Sequence, residues 1–108
     1  MAYQYRPRGM PARYMEGAPA IVRAQVLDLI EIQPAAPLDY DVIFRDDGPP
    51  RGSASYGLDF GKGGAQGCHF YLTTPDMRAY RERNRRKRVA WVDLPAATQS
   101  AIVAYLES

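Results

Sequence analysis

The residues best suited to chemistry in this chain are the bases between positions 78 and 88, here called the basic segment. Seven of its eleven residues are bases and one, Glu82, is an acid. The bases are Arg78, Arg81, Arg83, Arg85, Arg86, Lys87 and Arg88. Half of the chain's 14 Lys and Arg residues therefore lie in one short stretch. Because arginine presents a planar fork of donors that matches phosphate oxygens and base edges, the segment predicts a phosphate-bearing or acidic partner.

A helix over residues 76–91 would gather many of these bases on one edge. At 100° per residue, spacings of three, four and three place four of them in one stripe, namely Arg78, Arg81, Arg85 and Arg88. An adjoining stripe carries Met77, Tyr80, Asn84 and Trp91, and it predicts a seam that packs on the domain. Tyr80 and Trp91 are also candidates for stacking on nucleic-acid bases, provided that their rings are exposed.

Two other interpretations of the basic segment stay open. It could be a solvated helix face, although such faces usually interleave charges of both signs. It could instead dock on the acidic segment of residues 28–59, which holds seven acids against two bases, within the molecule or across a dimer. Changing Arg81, Arg85 and Arg88 together to Gln is expected to remove most of the salt dependence of binding and leave the domain folded, since the apolar seam is untouched.

The run of residues 81–88, with Trp91 nearby, is similar in composition to the arginine-rich RNA-binding peptides of phage antiterminators. The similarity covers this run only, and it assigns no role to any individual residue.

The composition indicates one small domain. The chain has 108 residues and a net charge of +2. Because 46% of the residues are hydrophobic, a chain of this length can bury a modest core. No apolar run reaches the roughly 20 residues that a membrane span requires, so no membrane partner is expected. A single cysteine favours a reducing, cytoplasmic setting.

The order of predicted elements indicates an α+β fold. Residues 1–19 are expected to form an extended arm, and residues 20–108 a single α+β domain. Strands are predicted over residues 20–33, 38–45, 53–60 and 68–72, although residues 20–33 also fit a helix. These strands predict a small antiparallel sheet, with an SH3-like or OB-like open barrel as one form that it could take.

Turn and capping residues mark the remaining boundaries. A turn is predicted over residues 46–50 and a flexible loop over residues 61–67. Two helices then close the chain. The first has Thr74 as its N-cap and runs to Arg88 or Trp91, and the second is capped by Asp93.

No set of residues makes a convincing catalytic or metal site. Cys68 and His69 are adjacent on a predicted strand and therefore point to opposite faces, with the cysteine expected in the interior. A metal site needs three or four ligands at a recognisable spacing. Asp39 and Asp41 share a strand face, but no apolar surroundings that would raise a carboxyl pKa are expected there. We therefore predict no enzyme, no metal and no cofactor.

The predicted function is that of a small, non-enzymatic, cytoplasmic accessory or regulatory protein of phage or bacterial type that binds nucleic acid or a nucleoprotein complex. The predicted contacts are the seven bases of the basic segment together with Tyr80 and Trp91. The alternative is a protein-binding adaptor or inhibitor, of phage or mobile-element type, acting on a charged partner surface. A virion component and a homodimer are also compatible with the sequence.

Overall fold

The structure, a computed structural model, describes residues 8–32, 38–46 and 55–108. The elements in chain order are a 3-10 turn (Ala12–Met15), α1 (Ala20–Gln25), β1 (Val26–Glu31), β2 (Tyr40–Arg45), β3 (Ser55–Phe60), β4 (Gln66–Leu72), α2 (Thr74–Asn84), two more 3-10 turns (Arg85–Lys87 and Trp91–Asp93) and α3 (Ala96–Glu107). The predicted α+β class, with an antiparallel sheet followed by two C-terminal helices, is confirmed.

The four strands form a meander in the order β1-β2-β3-β4, and each neighbouring pair is antiparallel. Within the described residues the sheet is open, with β1 and β4 at its edges, rather than closed into a barrel. The register shifts once in the β1–β2 pair, between Val26 and Asp28, and once in the β3–β4 pair, between Leu58 and Phe60. Shifts of this kind bend a strand and increase its local twist.

Residues 20–33 divide between the two structures that their pattern allows. The strand expectation was wrong for residues 20–25, which form α1, and right for Val26–Glu31. Pro19 fixes the φ angle that the start of a helix needs, and its carbonyl accepts the N–H groups of Val22 and Arg23. From Val26 onward the chain is extended, because β2 supplies a ladder that begins with the Val26–Phe44 pair.

Part of the predicted N-terminal arm belongs to the core. Met10, Met15 and Ala18 are buried among the apolar residues, which include Trp91 and Leu94. The first residues of this arm, with Tyr3 and Tyr5, lie outside the described part of the chain.

Both faces of the sheet are covered. On one face Val42, Phe44 and Phe60 pack in a cluster that also holds Trp91 and Ile102. On the other face Leu27, Ile43 and Leu72 pack with two residues of α2, Met77 and Tyr80. Burying a large apolar side chain of this kind contributes about 1.5–3 kcal/mol, so these contacts hold α2 firmly on the sheet. The polar residues that share this second face therefore lie beneath a helix.

The helix boundaries differ from those expected at three places. Thr73, not Thr74, caps α2: its hydroxyl accepts the N–H of Asp76 at 3.3 Å, and the Asp76 carboxylate accepts the N–H of Thr73 at 3.2 Å. The α-helix ends at Asn84 rather than at Arg88 or Trp91. Pro95 precedes α3, and Asp93 lies in a 3-10 turn and does not cap that helix. A proline disfavours the helical conformation in the residue before it, and Leu94 is accordingly extended. The helix α3 therefore begins after Pro95.

The predicted loop between β3 and β4 is present over residues 61–65, but residues 66 and 67, which were expected in the loop, belong to β4. The N–H of Gly64 donates to the carbonyl of Gly61 at 3.0 Å. Gly64 has a φ of +92°, a backbone conformation that residues with a side chain rarely adopt. Most of the predicted turn over residues 46–50 lies outside the described residues. In the part of the chain that is described, no helix has the length and apolar character needed to cross a membrane.

Candidate nucleic-acid interface

Residues of the basic segment line an open cleft of about 440 Å³, here called the basic cleft. Its lining residues are Arg78, Arg81, Glu82, Arg85 and Arg88. The four arginines of the predicted stripe therefore meet in one place. They do so although only Arg78 and Arg81 lie on α2, since Arg85 belongs to the following 3-10 turn and Arg88 to an extended stretch.

The edge of β1 positions the last arginine of the cleft. Arg88 forms an isolated antiparallel bridge with Ile30, and the N–H of Val89 donates to the carbonyl of Leu29 at 2.9 Å. These backbone contacts bring the chain back onto the sheet after the 3-10 turn of Arg85–Lys87. Arg88 is consequently beside Arg81 by pairing with β1, and not by continuing the helix.

A buried carboxylate holds two of the cleft arginines in place. Asp28 on β1 has no exposed surface, and it accepts from Nε of Arg81 at 2.7 Å and from Nε of Arg88 at 2.8 Å. Arg81 also donates from Nη2 to the carbonyl of Leu27 at 2.7 Å. The side chains of Arg81 and Arg88 keep 21% and 14% of their surface exposed. Arg81 and Arg88 therefore dock on the acidic segment within the molecule, through Asp28.

The other five bases of the basic segment are exposed: Arg78, Arg83, Arg85, Arg86 and Lys87. The guanidinium carbon of Arg83 lies 5.9 Å from the centre of the Tyr80 ring, a distance that suits a cation–π contact. The basic segment is therefore divided between two bases that fix the fold and five that present positive charge to solvent.

The two aromatic candidates are core residues. Tyr80 is 6% exposed and Trp91 is 4% exposed, so neither ring meets the condition on which stacking with bases depended. The Tyr80 hydroxyl donates to Oδ2 of Asp41 at 2.5 Å. Burial, followed by the nearby Asp41 carboxylate, raises the pKa of this hydroxyl above its ordinary value.

Arg13 joins the basic surface from a distant part of the sequence. The guanidinium carbon of Arg13 lies 5.0 Å from the centre of the Tyr14 ring, and the guanidinium carbon of Arg88 lies 5.9 Å from the same centre. Sequence reasoning missed Arg13, because nothing in the pattern of residues 8–19 indicates which part of the domain they contact.

A pair of acids lies beneath α2, one strand away from Asp28. Asp41 on β2 is directly opposite Asp59 on β3. The pKa of Asp41 is raised to about 7: burial is the largest cause, the hydrogen bond with the Asp59 side chain adds to the rise, and the bond from Tyr80 opposes it. The expectation that nothing apolar surrounds Asp41 is wrong, because α2 covers this face. The partner of Asp41 is Asp59 and not Asp39.

Cys68 and His69 are both exposed on β4. The expectation of a buried cysteine is wrong because β4 is an edge strand, and the helix that follows it buries Leu72 but not Cys68. The His69 ring contacts Tyr56 and Tyr71, with ring centres 5.1 and 5.0 Å apart. Across the described ranges, no group of three or more His, Cys, Asp or Glu residues is arranged to hold a metal ion.

Comparison of the chain with protein-family models, with curated proteins and with solved structures finds no match. A function therefore has to be inferred from the geometry of this chain alone.

Proposed function

We propose that this chain is a small, non-enzymatic, cytoplasmic accessory protein that binds nucleic acid, alone or within a nucleoprotein complex, through the basic cleft and the turn beside it. The observation that carries the proposal is that four arginines line one cleft, while a buried carboxylate holds two of them in place. The exposed bases of the 3-10 turn that starts at Arg85, namely Arg86 and Lys87, extend the positive surface beyond the cleft.

The ion pairs with Asp28 prepare the cleft for an anion. One carboxylate accepts from two guanidinium groups, so positive charge remains in excess at this point. Both pairs use Nε, which fixes the plane of each guanidinium before any ligand arrives. Arginines that are already ordered lose less conformational freedom on binding, and guanidinium–phosphate bonds are among the stronger hydrogen bonds in proteins.

The contacts available at this surface are contacts to phosphate. Phosphate contacts position a protein on nucleic acid and depend strongly on salt, but they carry little sequence information. Because Tyr80 and Trp91 are buried, they do not offer the stacking platform that favours single strands. We therefore expect duplex, with its higher density of phosphates, to bind more tightly than a single strand of equal length.

The variant that tests this proposal has to spare the structural arginines. Replacing Arg81, Arg85 and Arg88 together would leave Asp28 buried without its ion pairs, so we expect this triple variant to lose stability as well as charge. Arg85→Gln with Arg86→Gln removes two exposed charges instead. Arg23→Gln with Lys62→Gln is the matched control, because it removes the same charge from exposed residues that do not line the cleft.

The experiment is a salt titration of binding to labelled duplex and single-stranded oligonucleotides, followed by fluorescence anisotropy. If about five bases meet phosphates of a duplex, log K should fall against log salt with a slope of about −4.5. The Arg85/Arg86 variant should make the slope shallower by about 1.8, while the control variant keeps most of the original slope. Folded protein that binds neither oligonucleotide at low salt would refute the proposal.

A protein-binding adaptor or inhibitor is the second candidate, and one feature of the cleft favours it. Glu82 lies among the four arginines, so the lining is mixed in charge and would match a mixed partner surface. Glu82→Gln separates the two candidates. It should tighten binding to a polyanion, whereas it should weaken binding to a protein that pairs a base with Glu82.

A further inference from the structure

A second source of positive charge reaches the basic cleft from the start of the chain. Arg13 lies in the first 3-10 turn, Ala12–Met15, and is exposed. Its guanidinium carbon is 5.0 Å from the centre of the Tyr14 ring, and that of Arg88 is 5.9 Å from the same centre. Both distances suit cation–π contacts. One ring therefore connects an exposed arginine with an arginine of the basic cleft.

The turn that carries Arg13 is anchored in the core. Met10 and Met15, on either side of Arg13, are buried in the cluster that also holds Trp91. The turn also contacts the 3-10 turn that begins at Trp91. Because Trp91 is three residues after Arg88, these contacts fix the turn beside the end of the basic segment. The fold therefore sets the position of Arg13 relative to the cleft.

Tyr14 and Asp28 hold Arg88 in different ways. The carboxylate of Asp28 accepts from Nε of Arg88 at 2.8 Å, whereas the Tyr14 ring contacts the guanidinium group through cation–π attraction. A ring attracts a cation without bringing a negative charge of its own, so Tyr14 orders Arg13 and Arg88 and leaves their positive charge in place. Side chains that are ordered before a ligand arrives lose less freedom on binding. Phosphate suits such a surface, because guanidinium–phosphate bonds are charge-assisted.

We propose that the nucleic-acid interface extends from the basic cleft across Tyr14 to Arg13, with Arg13 as a further phosphate contact and Tyr14 as the residue that positions Arg13 and Arg88. The inference rests on the proposed function and adds to it a part of the chain outside the basic segment. The two guanidinium carbons are no further apart than the sum of their distances to the ring centre. Because each strand of a duplex carries a phosphate about every 3.4 Å along the axis, both arginines reach phosphates that are only a few nucleotides apart.

Arg13→Gln tests the phosphate contact. In salt titrations of duplex binding followed by anisotropy, its log K–log salt slope should be shallower than that of the wild type by about 0.9, the value for one phosphate. Lys62→Gln is the matched control, because it removes one exposed charge from the loop between β3 and β4, whereas Arg88 pairs with β1 on the far side of the sheet. The control should keep most of the wild-type slope.

Tyr14→Leu tests the positioning role. It keeps an apolar side chain for the core contacts of Tyr14 and removes the ring, while every base remains. Affinity for duplex should fall by about threefold to tenfold at fixed salt, because arginines that the ring no longer orders have to be ordered on binding. The slope should stay close to that of the wild type, since the same phosphates are neutralised. Tyr14→Phe keeps the ring and should bind like the wild type.

The outcomes separate this inference from the proposed function. A folded wild type that binds no duplex refutes both. A slope that falls in the Arg85→Gln, Arg86→Gln variant but is the same in Arg13→Gln as in Lys62→Gln refutes the inference alone. Wild-type affinity in a folded Tyr14→Leu variant refutes the positioning role. Arg13 is exposed, so Arg13→Gln should fold and decides the phosphate contact even where Tyr14→Leu does not fold.

Discussion

Two acidic sites lie under the same helix and are neutralised in different ways. Asp28 on β1 is balanced by the guanidinium groups of Arg81 and Arg88, at 2.7 and 2.8 Å. Asp41 on β2 faces another acid, Asp59, and its pKa is raised to about 7, so at neutral pH a proton balances much of its charge. Burial therefore requires the charge of each carboxylate to be compensated, and the nearest partner decides whether a cation or a proton compensates it.

The largest expected effect comes from removing the cations at Asp28. Arg81→Gln with Arg88→Gln leaves a fully buried carboxylate without its ion pairs, which should lower the free energy of unfolding by about 3–5 kcal/mol. Urea denaturation followed by circular dichroism measures this change. Arg85→Gln with Arg86→Gln should stay within about 0.5 kcal/mol of the wild type, as is usual for exposed positions. Equal losses in the two double variants would show that Asp28 does not need its partners.

The next effect is a pH dependence at Asp41. Its folded pKa of about 7 lies above the ordinary value of 3.8, so between these two pH values the folded state keeps a proton that the unfolded chain releases. The stability that this group contributes is full below pH 3.8, falls as the pH rises through this window, and is lost above about 7.

Asp41→Asn tests that dependence, because the amide cannot release a proton and can still donate to Asp59. The free energy of unfolding of the variant should decline less than that of the wild type between pH 3.8 and about 7. Thermal melts across this range provide the measurement. Parallel curves for the two proteins would show that Asp41 titrates in the same way in the folded and unfolded states.

A smaller effect is expected from the tyrosine above the acid pair. Tyr80→Phe removes the hydroxyl that donates to Asp41 at 2.5 Å and should cost about 1 kcal/mol. Since that bond lowers the pKa of Asp41, its loss should move the titration of Asp41 to a still higher pH. A carbon-detected NMR titration of the Asp41 carboxyl follows this shift, and no upward movement would contradict the assigned role of Tyr80.

The smallest effect concerns the charge balance of the basic cleft. Glu82 is exposed, so Glu82→Gln should change stability little but should tighten duplex binding by a few-fold at low salt, with the gain disappearing as salt rises. Anisotropy titrations at two salt concentrations measure this. Weaker duplex binding in the variant would show that the phosphates of the duplex do not contact the basic cleft.

Much of the fold could be predicted from the sequence, because local patterns specify it. Alternation in residues 55–60 and the capping residues before α2 are local features, and they gave the strand and helix types correctly. The division of residues 20–33 was not predictable in this way. Both patterns were present, and the choice of strand from Val26 depended on pairing with Phe44.

The candidate site could be predicted only in part, for a similar reason. The spacing of Arg78, Arg81, Arg85 and Arg88 correctly grouped them, although the helix that was expected to do so ends early. Which of these arginines meet Asp28, and which acid lies opposite Asp41, depend on strand register and on α2 covering the second face of the sheet. Those are contacts between distant parts of the chain, and no local spacing encodes them.

We propose that the exposed bases in and beside the basic cleft bind phosphates, while Asp28 holds Arg81 and Arg88 in place there and these two arginines also stabilise the fold. The deciding measurement is the salt dependence of duplex binding, compared between the wild type and the Arg85→Gln, Arg86→Gln variant. We expect the variant to be as stable as the wild type and its log K–log salt slope to be shallower by about 1.8. An unchanged slope, or a slope reduced equally by the Arg23→Gln, Lys62→Gln control, would contradict it.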